Sequence, residues 1–387
     1  MITIDSFVPT RIVFGTGRLA ELASADLPGK RALICTTKSE RAEHLVLIEN
    51  VVGMLAEAGV CAVVFDGVGP NPTKDQVDAA CELAKSSSSD FIVGLGGGSS
   101  IDLAKAVAFL LCEGGDLWDY AYTGTGGRKE IGNALPVVAI TTTAGTGTEA
   151  DPYSVITNTE TGEKLDFAAE PLFPVFSIID PELMVTLPRD LTIYQGLDAL
   201  FHASECLITN RGENLLVDAY ANESITSVVE YLPQVIKDPN DIEARTRVSY
   251  AANICSGYTQ SLIGTTSHHI IAQTIGGMFP NVPHGAALVM IAEEYYRKIS
   301  TLATPELNRL AAYFGIESSD GLGWSSGLGE FFEKLDVRHL PMSAYGIKRE
   351  DLAQIADYTV NRTGISDVDN YTLTVSDVLE ILEKSYC

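Results

Sequence analysis

The chain has 387 residues, 46% hydrophobic and 20% charged, with 34 Gly and 16 Pro. That length exceeds what one hydrophobic core usually holds and predicts two domains, and the apolar fraction excludes a mostly disordered chain. Lys and Arg number 26 against 51 Asp and Glu, a formal charge of −25; so acidic a surface repels nucleic acid and anionic membranes, and a polyanionic ligand must be held by something other than basic side chains.

The N-terminus, MITIDSFVPTR, lacks the charged-then-apolar shape of a signal peptide, and no apolar run approaches the roughly 18 residues of a membrane helix. The expectation is a cytoplasmic protein that binds neither membrane nor nucleic acid. Seven widely spaced cysteines (35, 61, 81, 112, 206, 255, 387), none in a CxxC, read as reduced and mostly buried thiols.

From about residue 30 to 180 short apolar runs alternate with amphipathic segments. Ala32–Cys35, Val60–Phe65, Phe91–Leu95, Pro136–Ile140 and Val175–Ile179 predict strands buried on both faces. Helical patterns over 43–58, 74–88 and 100–112 lie between them, so the N-terminal half is an α/β Rossmann-like domain with a parallel sheet. Beyond Leu187-Pro188 the period changes. Ile225, Val228, Val229 and Leu232 share one helical face, and Thr374 with Asp377 forms a capping box ahead of Val378, Ile381 and Leu382. The predicted layout is an α/β domain over 1–187 and an all-α domain over 188–387.

Two glycine-rich segments stand at strand ends. In Gly94-Leu-Gly-Gly-Gly-Ser-Ser-Ile-Asp102, successive glycines allow close backbone approach. Ser99 or Ser100 could cap the following helix, whose free amides would hold a phosphate. This is not a GxGxxG in register, and the plainer reading is a structural turn. Thr141-Thr-Thr-Ala-Gly-Thr-Gly-Thr-Glu149 suggests phosphate or ribose contacts at the carboxyl edge of a parallel sheet, the plainer reading being a solvent loop.

Of six histidines (44, 202, 268, 269, 284, 339), three lie in suggestive places. Asp198 and His202 are four apart on one helical face; His269 and His284 are 15 apart, the latter in a Pro-His-Gly turn after a Gly276-Gly277 break. One carboxylate with three imidazoles suits Fe(II) or Zn(II). Any one of these histidines alone reads more simply as a satisfied polar residue. His44 and His339 read as surface residues.

Together these blocks carry a resemblance. Gly96–Lys105, Thr142–Glu149, Asp198–His202, His269 through Gly285 and Gly67–Thr73 are similar, in order, to the iron-dependent (group III) alcohol dehydrogenase family. The resemblance implies Asp198, His202, His269 and His284 as metal ligands. It implies Gly97, Gly98, Ser99 and Asp102 at a pyrophosphate, Thr141, Thr142 and Thr146 beside a nicotinamide, and Asn71, Lys164 and Leu183 around ribose and adenine. The implied activity is reversible hydride transfer between a small alcohol or diol and NAD or NADP, with the metal acidifying the alcohol. A homo-oligomer, by default a dimer, is expected.

Three departures from the family pattern bear on function. Thr37 stands where NAD-using members usually carry Asp, so NADP is expected to be accepted. Gln273 replaces a histidine four residues after the third ligand and cannot shuttle a proton. The His268-His269 doublet leaves ligand identity open, with the Gly276-Gly277 register favouring His269. Tyr153 and Gln260, with Gln273, are the substrate-side candidates and suggest a hydroxylated substrate. Competing readings are a maleylacetate-reductase-like or glycerol-dehydrogenase-like oxidoreductase, a dehydroquinate-synthase-like lyase and a non-catalytic nucleotide-binding sensor.

Overall fold

A computed structural model of the chain describes residue 4, residues 6–364 and residues 369–387. The reading of the N-terminal segment therefore falls partly outside the described residues. The described residues form eight strands: β1 (Arg11–Phe14), β2 (Arg31–Thr37), β3 (Cys61–Val68), β4 (Phe91–Gly96), β5 (Val137–Thr141), β6 (Tyr153–Asn158), β7 (Glu163–Ala168) and β8 (Phe176–Ile179). Six make a parallel sheet in the order β1-β8-β5-β4-β2-β3, and β6 and β7 make a separate antiparallel pair. Helices α1 (Ala42–Glu57), α2 (Lys74–Ser87) and α3 (Gly98–Glu113) supply the crossovers after β2, β3 and β4.

The residue alternation along these strands explains the burial. Ala32, Ile34, Val93, Leu95, Val138 and Ile140 fill one face of the sheet, whereas Leu33, Cys35, Ile92 and Val137 join α2 and α3 on the other. A strand enclosed on both sides reads as a continuous apolar run. All five predicted strands are present, but β3, at the edge of the sheet, is mostly half-buried or exposed and not enclosed on both faces. The four-residue edge strand β1 and the β6–β7 hairpin are additions; the hairpin turns at Gly162, whose φ is +69°.

Among the described residues no strand follows Ile179. The chain continues as α4 (Arg189–Asn210), α5 (Leu215–Lys237), α6 (Ile242–Ser249), α7 (Gly257–Leu262), α8 (Ser267–Met278), α9 (His284–Lys298) and further short helices. A π-helical stretch, Tyr250–Ser256, joins α6 to α7. Helix α4 is buried on nearly every side from Thr192 to Asn210 and forms the axis of the helical core. On α5, Ile225, Val228 and Leu232 are fully buried, as their spacing predicted.

Three expectations are corrected here. Helix α3 starts at Gly98 with Gly97 as its N-cap, so Ser99 and Ser100 lie inside the first turn; Ser99 Oγ donates to the Pro70 carbonyl instead. Gly276 and Gly277 do not break α8, which continues to Met278. A Cβ at Gly277 would sit 2.7 Å from the Gly162 carbonyl oxygen, so glycine there admits the hairpin turn. His44 is not simply a surface residue: half-buried, its Nε2 lies 3.2 Å from Thr36 Oγ1 and 3.0 Å from the Thr37 carbonyl oxygen. His339 is exposed.

The final helix, Val375–Ser385, carries the expected capping box, with Thr374 Oγ1 accepting from the Asp377 amide and the Asp377 carboxylate accepting from the Thr374 amide at 2.8 Å. Its apolar face, Val378, Ile381 and Leu382, is buried. Thr374→Ala is expected to cost about 1 kcal/mol in denaturant unfolding, with Thr374→Ser retaining most of it; equal midpoints for wild type and Thr374→Ala would show that the box adds nothing.

Candidate metal and cofactor site

Three helices converge on one carboxylate. Asp198 Oδ1, on α4, lies 3.7 Å from His202 Nε2 one turn later, 3.4 Å from His269 Nε2 on α8 and 3.7 Å from His284 Nε2 at the start of α9. Gly285 permits the last approach, because a Cβ there would collide with the Tyr194 carbonyl of α4. Asp198 Oδ1 and His269 Nε2 are both buried without a well-formed hydrogen bond. Donors of Asp198, His269 and His284 lie within 4.8 Å of one another, and the His202 ring stacks on His269 with centroids 4.3 Å apart. Ligands about 2.1 Å from one cation in a tetrahedron are roughly 3.4 Å apart, so this donor set fits a divalent metal.

The electrostatics agree. Burial alone would raise the Asp198 carboxyl, yet His202 and the other two imidazoles outweigh it and hold Asp198 well below the usual carboxylate range. Burial pushes His202 down to about 4 and His284 well below its ordinary value, leaving both rings neutral and able to ligate. His269 goes the other way, to about 9, because Glu205 and Asp198 overcome the burial penalty. Two carboxylates that favour a proton there equally favour a metal cation.

Sequence reasoning missed Glu205. It is fully buried on α4, one oxygen lying 2.7 Å from His268 Nδ1 and 2.8 Å from His269 Nδ1 while the other accepts from the Thr266 amide and hydroxyl. That contact fixes Nδ1 of His269 as the outer nitrogen and turns Nε2 toward Asp198. His268 Nε2 faces the Leu288 carbonyl, away from the ligand cluster. The signal was available, since Glu205 lies seven residues, two turns, after Asp198.

A cavity of about 270 Å³ opens beside this cluster. Of the cofactor candidates it is lined by Asn71, Gly98, Ser99, Asp102, Thr146 and Lys164, and of the substrate candidates by Tyr153, Gln260 and Gln273. The glycine turn approaches the threonine-rich loop closely: Cβ atoms at Gly97 and Gly98 would sit 2.9 and 2.6 Å from Thr143 and Thr146 methyls. Packing thus accounts for part of the glycine requirement at the start of α3. Gln260 Nε2 donates to the Thr146 carbonyl, bracing that loop from α7.

Thr37, Gly97, Thr141, Thr142 and Leu183 lie outside the cavity lining, at or just beyond the carboxyl ends of β2, β4, β5 and β8. Chain order reverses between β2 and β4, where an open α/β sheet offers a crevice. Thr141 is fully buried with its hydroxyl donating to the Thr143 carbonyl, so it presents no free side-chain donor. Asp102 accepts from Thr148 Oγ1 at 2.8 Å and from the Val155 amide at 3.1 Å. A carboxylate has no proton to offer a phosphate, so its position shapes the wall. Lys164, beneath the same wall, donates to Asn71 Oδ1 at 2.9 Å, and burial lowers it to about 8 against the pull of Asp102 and Asp198.

Residues 9–181 match the model of the iron-containing alcohol dehydrogenases, and residues 192–386 match the C-terminal model of the same family. The chain belongs to the iron-containing alcohol dehydrogenase family. As a member of it, the protein is an oxidoreductase of the iron-containing alcohol dehydrogenase type. It is 30% identical to the NAD-dependent methanol dehydrogenase of Bacillus methanolicus over 98% of this chain and 99% of that one. It is 34% identical to the 1,3-propanediol dehydrogenase of Citrobacter freundii, over 82% and 81%. An archaeal halo-thermophilic Red Sea brine pool alcohol dehydrogenase superposes with a TM-score of 0.93 at 30% identity, covering 100% of this chain and 99% of that one. Among the described residues no helix is long and apolar enough to cross a membrane.

The two adjacent histidines face different ways, His269 Nε2 lying 3.4 Å from Asp198 and His268 Nε2 3.0 Å from the Leu288 carbonyl oxygen. His269→Ala is expected to abolish stoichiometric metal in the purified protein, and His268→Ala to retain it with a lower thermal midpoint. Elemental analysis of both variants checks this; full metal in His269→Ala would overturn the assignment.

Proposed function

We propose that the protein interconverts a small primary alcohol or diol and its aldehyde, using NAD or NADP, at the Asp198, His202, His269 and His284 cluster. The observation that carries this reading is the pair of orphaned buried atoms, Asp198 Oδ1 and His269 Nε2, opening into a cavity walled by the glycine turn. A divalent cation held there, Fe(II) or Zn(II), would polarise and acidify the alcohol, and a bound nicotinamide would take up the hydride.

This chain's own residues do the rest. The first amides of α3, behind Gly97, Gly98 and Ser99, face the pyrophosphate, and Lys164 with Asn71 supplies the one buried cation of that wall. Thr146, held by Gln260, lines the nicotinamide side. Gln273 contributes an amide that orients substrate without titrating, so the alcohol proton leaves through water or cofactor hydroxyls. Thr37 ends β2 without a carboxylate to repel a 2′-phosphate, and exposed Lys38 and Arg41 lie beside it; both support acceptance of NADP.

The division into domains over 1–187 and 188–387 belongs to this proposal, with the site between them. So does a homo-oligomer, by default a dimer. Seven free cysteines, four of them buried, favour a reducing compartment such as the cytoplasm.

A panel of small alcohols and diols, assayed with both cofactors after loading with Fe(II) or Zn(II), tests the reading; tight dinucleotide binding without turnover of any alcohol would favour a sensor instead. Cofactor preference has its own test. Thr37→Asp is expected to shift the NADPH-to-NADH ratio of kcat/KM toward NADH by about tenfold or more, and an unchanged ratio would remove Thr37 from the account. Dinucleotide affinity should weaken as pH rises through about 8, because Lys164 loses its charge there. Lys164→Met is expected to remove that step from a calorimetric Kd profile.

A further inference from the structure

The hairpin of β6 and β7 has two unlike faces. Ser154, Ile156, Leu165 and Phe167 are fully buried, the three apolar ones in the core against α3, while Tyr153, Val155, Lys164 and Asp166 line the cavity. Four carboxylates reach the cavity wall. Asp102 is bonded to Thr148 and Val155, Asp151 to Lys105 and the Tyr153 amide, and Asp198 sits among the imidazoles. Asp166 alone has no side-chain partner among the described residues. Burial raises its carboxyl, with only its own backbone amide in opposition.

We propose that Asp166 seats an ammonium group on the substrate, so that the favoured alcohols are small amino alcohols. This deepens the proposed function and rests on it. The cavity is electrically two-ended. Lys164, bonded to Asn71, lines the same cavity as Asp198, His269 and His284. Asp166 follows two residues later on β7, about 7 Å further along the strand. A cation is repelled by Lys164 and by any metal at the ligand cluster, and is drawn to the unpaired carboxylate. The bound alcohol is thereby oriented with its hydroxyl toward the ligands. Asp166 lines the same cavity as Asp198, His269 and His284. The chain's charge of −25 also favours approach of a cation over an anion.

The test compares 1-butanol, 1,4-butanediol and 4-amino-1-butanol on the metal-loaded enzyme, for wild type, Asp166→Asn and Asp166→Ser. Wild type is expected to favour the amino alcohol over 1-butanol by about tenfold or more in kcat/KM, mostly through KM. That ratio should fall by about tenfold in both variants. A wild-type preference for 1-butanol or the diol overturns the proposal, as does a ratio that survives the substitutions. Calorimetry of 4-amino-1-butanol binding to the cofactor-loaded wild type and variants reads Asp166 independently of turnover. A wild-type-only affinity with no alcohol oxidised would sink the proposed activity and leave Asp166 as the cation seat; equal affinities would sink the Asp166 assignment.

Discussion

The structure turns on one buried carboxylate. Asp198 lies in the middle of the most enclosed helix, and a lone carboxylate there would be costly to desolvate. What offsets that cost is the arrival of three imidazoles from three helices. Their arrival requires Gly285 to let α9 abut α4 and requires Glu205 to hold His269 from behind. Glu205 also accepts from the amide and hydroxyl of Thr266, the N-cap of α8, so the carboxylate behind His269 also fixes the start of the helix bearing it. Metal affinity and helix packing are therefore not separable in this domain.

The second constraint is charge. A chain this acidic offers a dinucleotide little basic surface, and the proposed anion site draws on what remains: amides at the start of α3, close approach by glycine, and one lysine whose charge is itself disfavoured by burial. Local arrangement of a few charges decides affinity here, and the net charge only sets the field around them. The same economy produces a cavity with a cationic end and an unpaired carboxylate.

Much of this was legible in the sequence. The parallel sheet could be read because strands buried on both faces show as unbroken apolar runs. The resemblance named Asp198, His202, His269 and His284 together, the first two sharing a helical turn, and the structure brings all four side chains to one place. The β6–β7 hairpin was not read, although Ile156, Leu165 and Phe167 alternate with polar residues. The other strands were legible as unbroken apolar runs, and a hairpin with Lys164 and Asp166 on its cavity face carries a short alternation instead. Glu205 escaped for the opposite reason: one more acidic residue in a chain with 51 draws no notice until its partners are placed. The serine caps failed because helix onset depends on where the glycine backbone can turn, not on the nearest hydroxyl.

The sheet order has a temporal meaning. Arg11 pairs with Phe176, and β8 lies between β1 and β5. On a ribosome, β2, β3, β4 and β5 emerge able to zip together, while β1 waits for nearly half the chain to be synthesised. Until β8 arrives, β5, with the run Val-Val-Ala-Ile-Thr, is an uncovered apolar edge open to other nascent chains. Within this sheet the strand earliest in sequence pairs with the one latest in sequence.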